Sequence, residues 1–216
     1  AEGALPAAPT MPFEIDAHAL VSTVHGLVLL LSGEPDRSRE QLELALRRAR
    51  EHGRTYTLLL ASSTAATFYS FMDELDRAFA LSNECLEHAE RLGFSARMPE
   101  ALVVRGSVRV RRRDLAGLED VARGIEIARE SGRLGGIVQQ YLTAAGAYMA
   151  AGHFERTEEL IAGAAAMMDL TGERSPYEPQ LAAFKAALLL RSRSSDLAEV
   201  DRLREHRRLL RENAQL

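Results

Sequence analysis

The chain has 216 residues, 46% of them apolar, and its 27 basic against 31 acidic residues leave a formal charge of −4. That is enough apolar material for a packed core, which excludes a disordered polyelectrolyte, and the charge gives no global pull toward nucleic acid. Aromatics are scarce at 6% with no Trp, as in close-packed helices, and one cysteine, Cys85, excludes an internal disulfide and any cysteine-based metal cluster.

In chain order, residues 1–12 carry Pro6, Pro9 and Pro12, which cannot hold a helix ladder, so they are expected to form a flexible lead-in. The chain begins Ala1-Glu2-Gly3 without an initiator Met, which suggests processing or a segment of a longer protein. From Phe13 on, helices alternate in pairs. The first helix of each pair is expected over 14–32, 56–72, 99–112, 134–151 and 179–191. The second is expected over 36–52, 74–92, 115–131, 155–171 and 196–212. Pro99 suits a first helical turn, where its missing N–H costs nothing. The longest aliphatic run, 27–31, is far too short to cross a membrane.

Gly53, Gly93, Gly132 and Gly172 follow the second helices at intervals of 40, 39 and 40 residues. Just past a helix end the chain often turns through a left-handed conformation that glycine adopts cheaply. Aligned on these glycines, the second helices share four apolar columns. They are Leu42, Ser82, Val121 and Ile161; Ala45, Cys85, Gly124 and Ala164; Leu46, Leu86, Ile125 and Ala165; and Ala49, Ala89, Ala128 and Met168. Within each helix these fall at i, i+3, i+4 and i+7, one buried face of a helix. Such self-similarity marks a stacked array in which each unit buries its face on the next. The last segment is dominated by charge and reads as a capping helix over 193–216, leaving 13–192 as the repeats.

Counting back from the same glycines gives columns that resemble the tetratricopeptide repeat. Its Gly and Tyr columns in the first helix become Gly26, Ala66, Arg105 and Ala145, and Leu29, Tyr69, Val108 and Tyr148. Its small columns in the second helix become Ser38, Ala78, Gly117 and Thr157, and Ala45, Cys85, Gly124 and Ala164. The turn within each pair falls at Gly33, Asp73, Arg112 and Gly152. The family's early aromatic is replaced by Ser22, Ser62, Ala101 and Tyr141, its closing proline is absent, and the period exceeds the usual roughly thirty-four residues. Longer units of this kind are similar to the helical-repeat regions of large bacterial regulators, such as the LuxR-type ATP-binding regulators and the maltose-operon activator. The resemblance implies an all-α, right-handed α-solenoid of about five antiparallel helix pairs, with a concave groove lined by the first helices.

No catalytic or metal-binding constellation is expected. The histidines His18, His25, His52, His88, His153 and His206 form no HExxH or His/Cys cluster, and the glycine-rich stretch 132–136 lacks the Lys-Ser/Thr of a phosphate loop. Cys85 falls in a core column with no positioned histidine, so an inert buried thiol is expected. Carboxylates such as Glu40 and Glu43 precede Arg47 and Arg48 at spacings that favour pairing along the helix. The arginines Arg109, Arg111, Arg112 and Arg113 complement a helix C-terminus. Those of the last segment alternate with acids, so no direct nucleic-acid contact is expected.

The groove is the candidate site. Unit two offers a hydroxyl stripe of Ser63, Thr64, Thr67 and Ser70, with Arg105 and Arg109 on the next unit and Gln139 and Thr143 beyond. Hydroxyls plus a guanidinium suit a peptide backbone, a carboxylate or a sugar. The function implied is non-catalytic capture of a protein, peptide or small molecule, without cofactor or membrane. The setting is the sensor or interaction segment of a cytoplasmic bacterial transcriptional or signal-transduction regulator, and homo-oligomerisation is compatible with it. A free-standing scaffold that assembles other proteins is the alternative, and a helical-repeat enzyme a distant third.

Overall fold

In a computed structural model, residues 15–53, 55–94, 97–132, 136–172 and 177–192 are described, and they form nine helices and no strand. The helices are α1 (Ala17–Leu31), α2 (Pro35–Glu51), α3 (Thr55–Phe71), α4 (Leu75–Arg91), α5 (Met98–Arg111), α6 (Gly117–Glu130), α7 (Ile137–Ala150), α8 (Phe154–Thr171) and α9 over 178–192. Each coincides closely with an expected segment. The proposed lead-in over 1–12 and the proposed capping helix over 193–216 lie outside the described residues.

Consecutive helices pack as antiparallel pairs, α1 with α2, α3 with α4, α5 with α6 and α7 with α8. The first helices also touch in succession, α1 to α3 to α5 to α7, with no comparable contact between successive second helices among the described residues. The row of first helices is therefore the more tightly spaced side of the array. This explains why α3 and α5, covered on several sides, bury residues around most of their circumference. By contrast α2, α4 and α6 bury one stripe, and fifteen of the sixteen positions in the four second-helix columns are buried, with Ala165 half-buried.

Close approach within a pair requires very small side chains. In the third pair the α5 and α6 backbones meet at Gly106 and Gly117. A Cβ on Gly106 would lie 2.3 Å from the Gly117 carbonyl oxygen, and one on Gly117 would lie 2.4 Å from that of Gly106. In the first pair the Ser38 hydroxyl donates to the Gly26 carbonyl at 2.7 Å, while a Cβ on Gly26 would strike Leu42 at 2.7 Å. The small columns are thus the surfaces on which paired helices touch.

The turns show where the sequence alignment slips. Gly33, Gly152 and, without glycine, Asp73 and Arg113 take left-handed backbone between the helices of a pair, and Gly53, Gly93, Gly132 and Gly172 do so after the pair. The expected third turn residue, Arg112, is one position early. Helices α2, α4 and α8 start two residues after their left-handed residue, whereas α6 starts four after Arg113. One residue fewer separates Arg113 from Gly132 than separates the corresponding positions of the other three pairs. The loop hydrogen bonds give the same register: Glu34, Asp114 and His153 donate to the carbonyls of Leu29, Arg109 and Tyr148 at 2.9, 3.0 and 2.9 Å, and Glu74 donates to Tyr69 at 2.9 Å. Arg109, not Val108, therefore occupies the tyrosine column, and Gly106, not Arg105, the glycine column.

Units are joined by arginine–carboxylate pairs that cross between neighbours. Arg39 reaches Glu74, Arg77 reaches Glu43, and Arg50 holds Glu84 through two bonds at 3.1 and 2.7 Å. Glu43, expected to pair along its own helix, instead accepts from Arg77 and from the buried Tyr69 hydroxyl, whose pKa is pushed up to about 12 by burial and by Glu43 itself. At the start of the array Asp16 caps α1, accepting from the Ala19 N–H at 2.8 Å and pairing with His52, while its own N–H donates to Thr57 at 3.0 Å. The Ala19 N–H, with His52, holds the Asp16 carboxyl at about 2, below its ordinary value of 3.8.

Two consequences are measurable. Gly106→Ala should lose at least about 3 kcal/mol in urea unfolding because the new methyl meets backbone. Gly146→Ala, whose methyl would find only Phe184 at 3.6 Å, should be neutral or stabilising by up to about 1 kcal/mol. Because the Asp16 pKa is lowered on folding, its contribution is complete above its ordinary value of 3.8 and is lost as pH falls through about 2. Melting temperatures recorded across that acid range should fall more steeply for the native chain than for Asp16→Ala, which should melt lower at neutral pH.

Candidate functional site

The first helices enclose a pocket of about 90 Å³. Helix α3 contributes Ser63, Thr64 and Thr67, α5 contributes Glu100, Val103 and Val104, and α7 contributes Gln139, Gln140 and Thr143. Leu27 of α1, Gly136 at the start of α7 and Tyr177 complete the wall. Three consecutive units thus meet around one space large enough for a small group of atoms.

Five of the eight residues singled out in the sequence, Ser63, Thr64, Thr67, Gln139 and Thr143, line this pocket. Ser70, Arg105 and Arg109 do not, and the one-residue slip explains the two arginines. With α5 moved by one position, Glu100, Val103 and Val104 come level with Gln139 and with the hydroxyls of α3. Arg105 and Arg109 turn toward α6 instead. Arg105 grips Asp120 through two bonds at 2.9 and 2.7 Å, and Arg109 reaches Asp120 at 3.1 Å and Asp114 at 2.7 Å. Burial would raise the Asp120 carboxyl, but the bonds from Arg105 and Arg109 outweigh it and hold the pKa below its ordinary value. Ser70 is buried, and its carbonyl accepts from Arg111 at 2.8 Å. Arg111 also pairs with Asp73, and Arg112 with Asp76, so the arginine cluster staples the third unit to the second.

The hydroxyls of the pocket have largely spent their hydrogens. Ser63 donates to the Leu60 carbonyl at 3.2 Å, Thr67 to Ser63 at 3.1 Å and Thr143 to Gln139 at 2.9 Å, all within their own helices. Thr143 additionally accepts from the Gln139 amide at 3.2 Å. Glu100 takes both its contacts from Arg97, at 3.1 Å each, and its Oε1 lies beside Gly136, where a Cβ would approach to 3.4 Å. Gln140, which the sequence reading passed over, is 8% exposed, and its side-chain oxygen has no hydrogen-bond partner. A polar residue on an otherwise apolar helix stretch, next to Gln139, was the available signal.

Elsewhere, Cys85 is fully buried, its thiol 3.6 Å from the Leu59 carbonyl and pushed up to about 12 by burial and by Glu100. No cluster of three metal-ligating side chains, and no helix long and apolar enough to cross a membrane, occurs among the described residues. Of the glycine-rich stretch, residues 133–135 lie outside the described residues.

The architecture defines the protein as an all-α array of antiparallel helix pairs. No family model and no curated protein matches the chain. Among solved structures it is similar to BtubC (BKLC) from P. vanneervenii, at 20% identity and a TM-score of 0.52 over 71% of this chain and 64% of that one. It also aligns with a Signal Transduction ATPase with Numerous Domains (STAND) protein with a tetratricopeptide repeat sensor from Pyrococcus horikoshii, at 16% identity and a TM-score of 0.49 over 84% of this chain and 28% of that one. The chain thus spans less than two thirds of either protein, and the first likeness is one of fold.

Asp120→Ala would leave Arg105 without its carboxylate and Arg109 with Asp114 alone. It should cost about 1–3 kcal/mol in chemical denaturation while leaving the pocket side chains unaltered.

Proposed function

We propose that this chain is a non-catalytic binding module that captures a peptide or small molecule in its first-helix groove. We place it as the sensor or interaction segment of a cytoplasmic bacterial transcriptional or signal-transduction regulator. The carrying observation is that α3, α5 and α7 all contribute to one pocket. A ligand seated there contacts three units at once and favours one setting of them over others, which is the differential affinity that coupling to attached domains requires. The regulator setting is supported by the sequence resemblance of the long units. It is also supported by α1, whose Val21, Val24 and Val28 are more than half exposed on one face, as suits contact with a neighbour.

A non-catalytic reading is supported by the state of the candidate reactive groups. Cys85 is sealed in the core with its thiol pKa raised, and Glu100 is engaged by Arg97. Neither stands beside a partner that would make it a nucleophile, acid or base.

The test is a thermal-shift screen of the full-length protein against peptides and oligosaccharides, repeated with Thr67→Trp, which fills the pocket from α3. A ligand at a hundredfold its dissociation constant stabilises the native state by about 2.7 kcal/mol. At least one ligand should raise the native chain's melting temperature and leave that of Thr67→Trp unchanged. Equal stabilisation of both would exclude the groove. Turnover abolished by one carboxylate or histidine substitution would replace this reading with an enzyme. A nucleotide-binding switch and a helix-turn-helix in the same reading frame would favour the regulator over a free-standing scaffold.

A further inference from the structure

We infer that the pocket selects a ligand by its N–H donors, taking a small aliphatic ammonium or amide and rejecting carboxylates and phosphates. This rests on the first-helix groove being the binding face. The hydroxyls of Ser63, Thr67 and Thr143 each give their hydrogen to a carbonyl of their own helix, so what they turn outward is lone pairs. Gln140 lines the same pocket, is more than nine-tenths buried, and has an amide oxygen with no partner. An orphaned buried acceptor costs stability, and the cost is recovered when the side chain turns to a donor that a ligand supplies. Among the described residues no arginine or lysine lines the pocket, and the one charged wall residue there is Glu100. The guanidinium groups that a carboxylate ligand would need, Arg105 and Arg109, are bonded to Asp114 and Asp120 instead. An anion entering this space would meet those lone pairs and a carboxylate whose pairing with Arg97 is already made. Val103 and Val104 supply the apolar contact for the ligand's body.

Three probes of equal shape separate the possibilities: 3-methylbutylammonium, 3-methylbutanamide and 3-methylbutanoate, titrated at millimolar concentration into the ¹⁵N-labelled full chain and followed by amide chemical shifts. The ammonium and the amide should move resonances of α3, α5 and α7 around the pocket, and the carboxylate should not. Gln140→Leu should weaken the amide by about tenfold, the loss of one buried hydrogen bond, and should melt no lower than the native chain because it removes the orphaned acceptor. Binding of 3-methylbutanoate at the pocket as tight as that of the amide would overturn the donor preference while leaving the groove as a binding face. Absence of pocket shifts with all three probes would also overturn it, whereas the groove itself is judged separately by the Thr67→Trp comparison. A clear drop in the melting temperature of Gln140→Leu would show that its oxygen is bonded in the free protein, and would equally overturn the inference.

Discussion

Everything in this array depends on how closely two helices of a pair can approach. At Gly106 and Gly117 the backbones come so near that a single Cβ on either would meet a carbonyl oxygen. The corresponding places in the other pairs hold Gly26 with Ser38, Ala66 with Ala78, and Ala145 with Thr157, all buried. Where the second-helix residue carries a hydroxyl, it is bonded to a carbonyl, Ser38 to Gly26 across the pair and Thr157 to His153 along its own helix. Dispersion falls steeply with separation, so this spacing sets how much apolar surface the larger columns bury around it.

That approach positions the groove. With each pair drawn tight, the first helices of neighbouring units come into contact and their small polar residues converge on one space. Ser63, Thr67 and Thr143 are tolerated there because their hydroxyls return their hydrogens to the helix backbone. The same economy leaves the pocket rich in acceptors. Arginine–carboxylate pairs, within the third unit and between units, take up the guanidinium groups on the flanks, and no cation lines the groove pocket among the described residues.

The element pattern was legible because apolar periodicity and left-handed glycines are local signals. All four second-helix columns, from Leu42 to Met168, could be read from spacing alone. Alignment failed at the start of α6, where one residue is missing between Arg113 and Gly117. A ruler laid from Gly132 backward carries that deletion into the whole of α5, so Arg105 takes the place of Gly106, Arg109 that of Val110, and Glu100 and Val104 are missed as pocket residues. The left-handed turn there is occupied by Arg113, a residue type that does not announce positive φ. The pairing of Glu43 was misassigned for a related reason: a neighbour one turn along the helix is visible in sequence, and a partner a whole unit away is not.

By itself the sequence determined the helices, their order, the buried stripes and the small residues on which pairs close, since these follow from periodicity and from the absence of a side chain. Only tertiary structure decided which arginines are spent on carboxylates, which face of α5 meets the pocket, and that Gln140 is buried without a partner. Those depend on distances between residues far apart in the chain, and a one-residue change in a single turn is enough to redirect the arginines and the pocket face of α5.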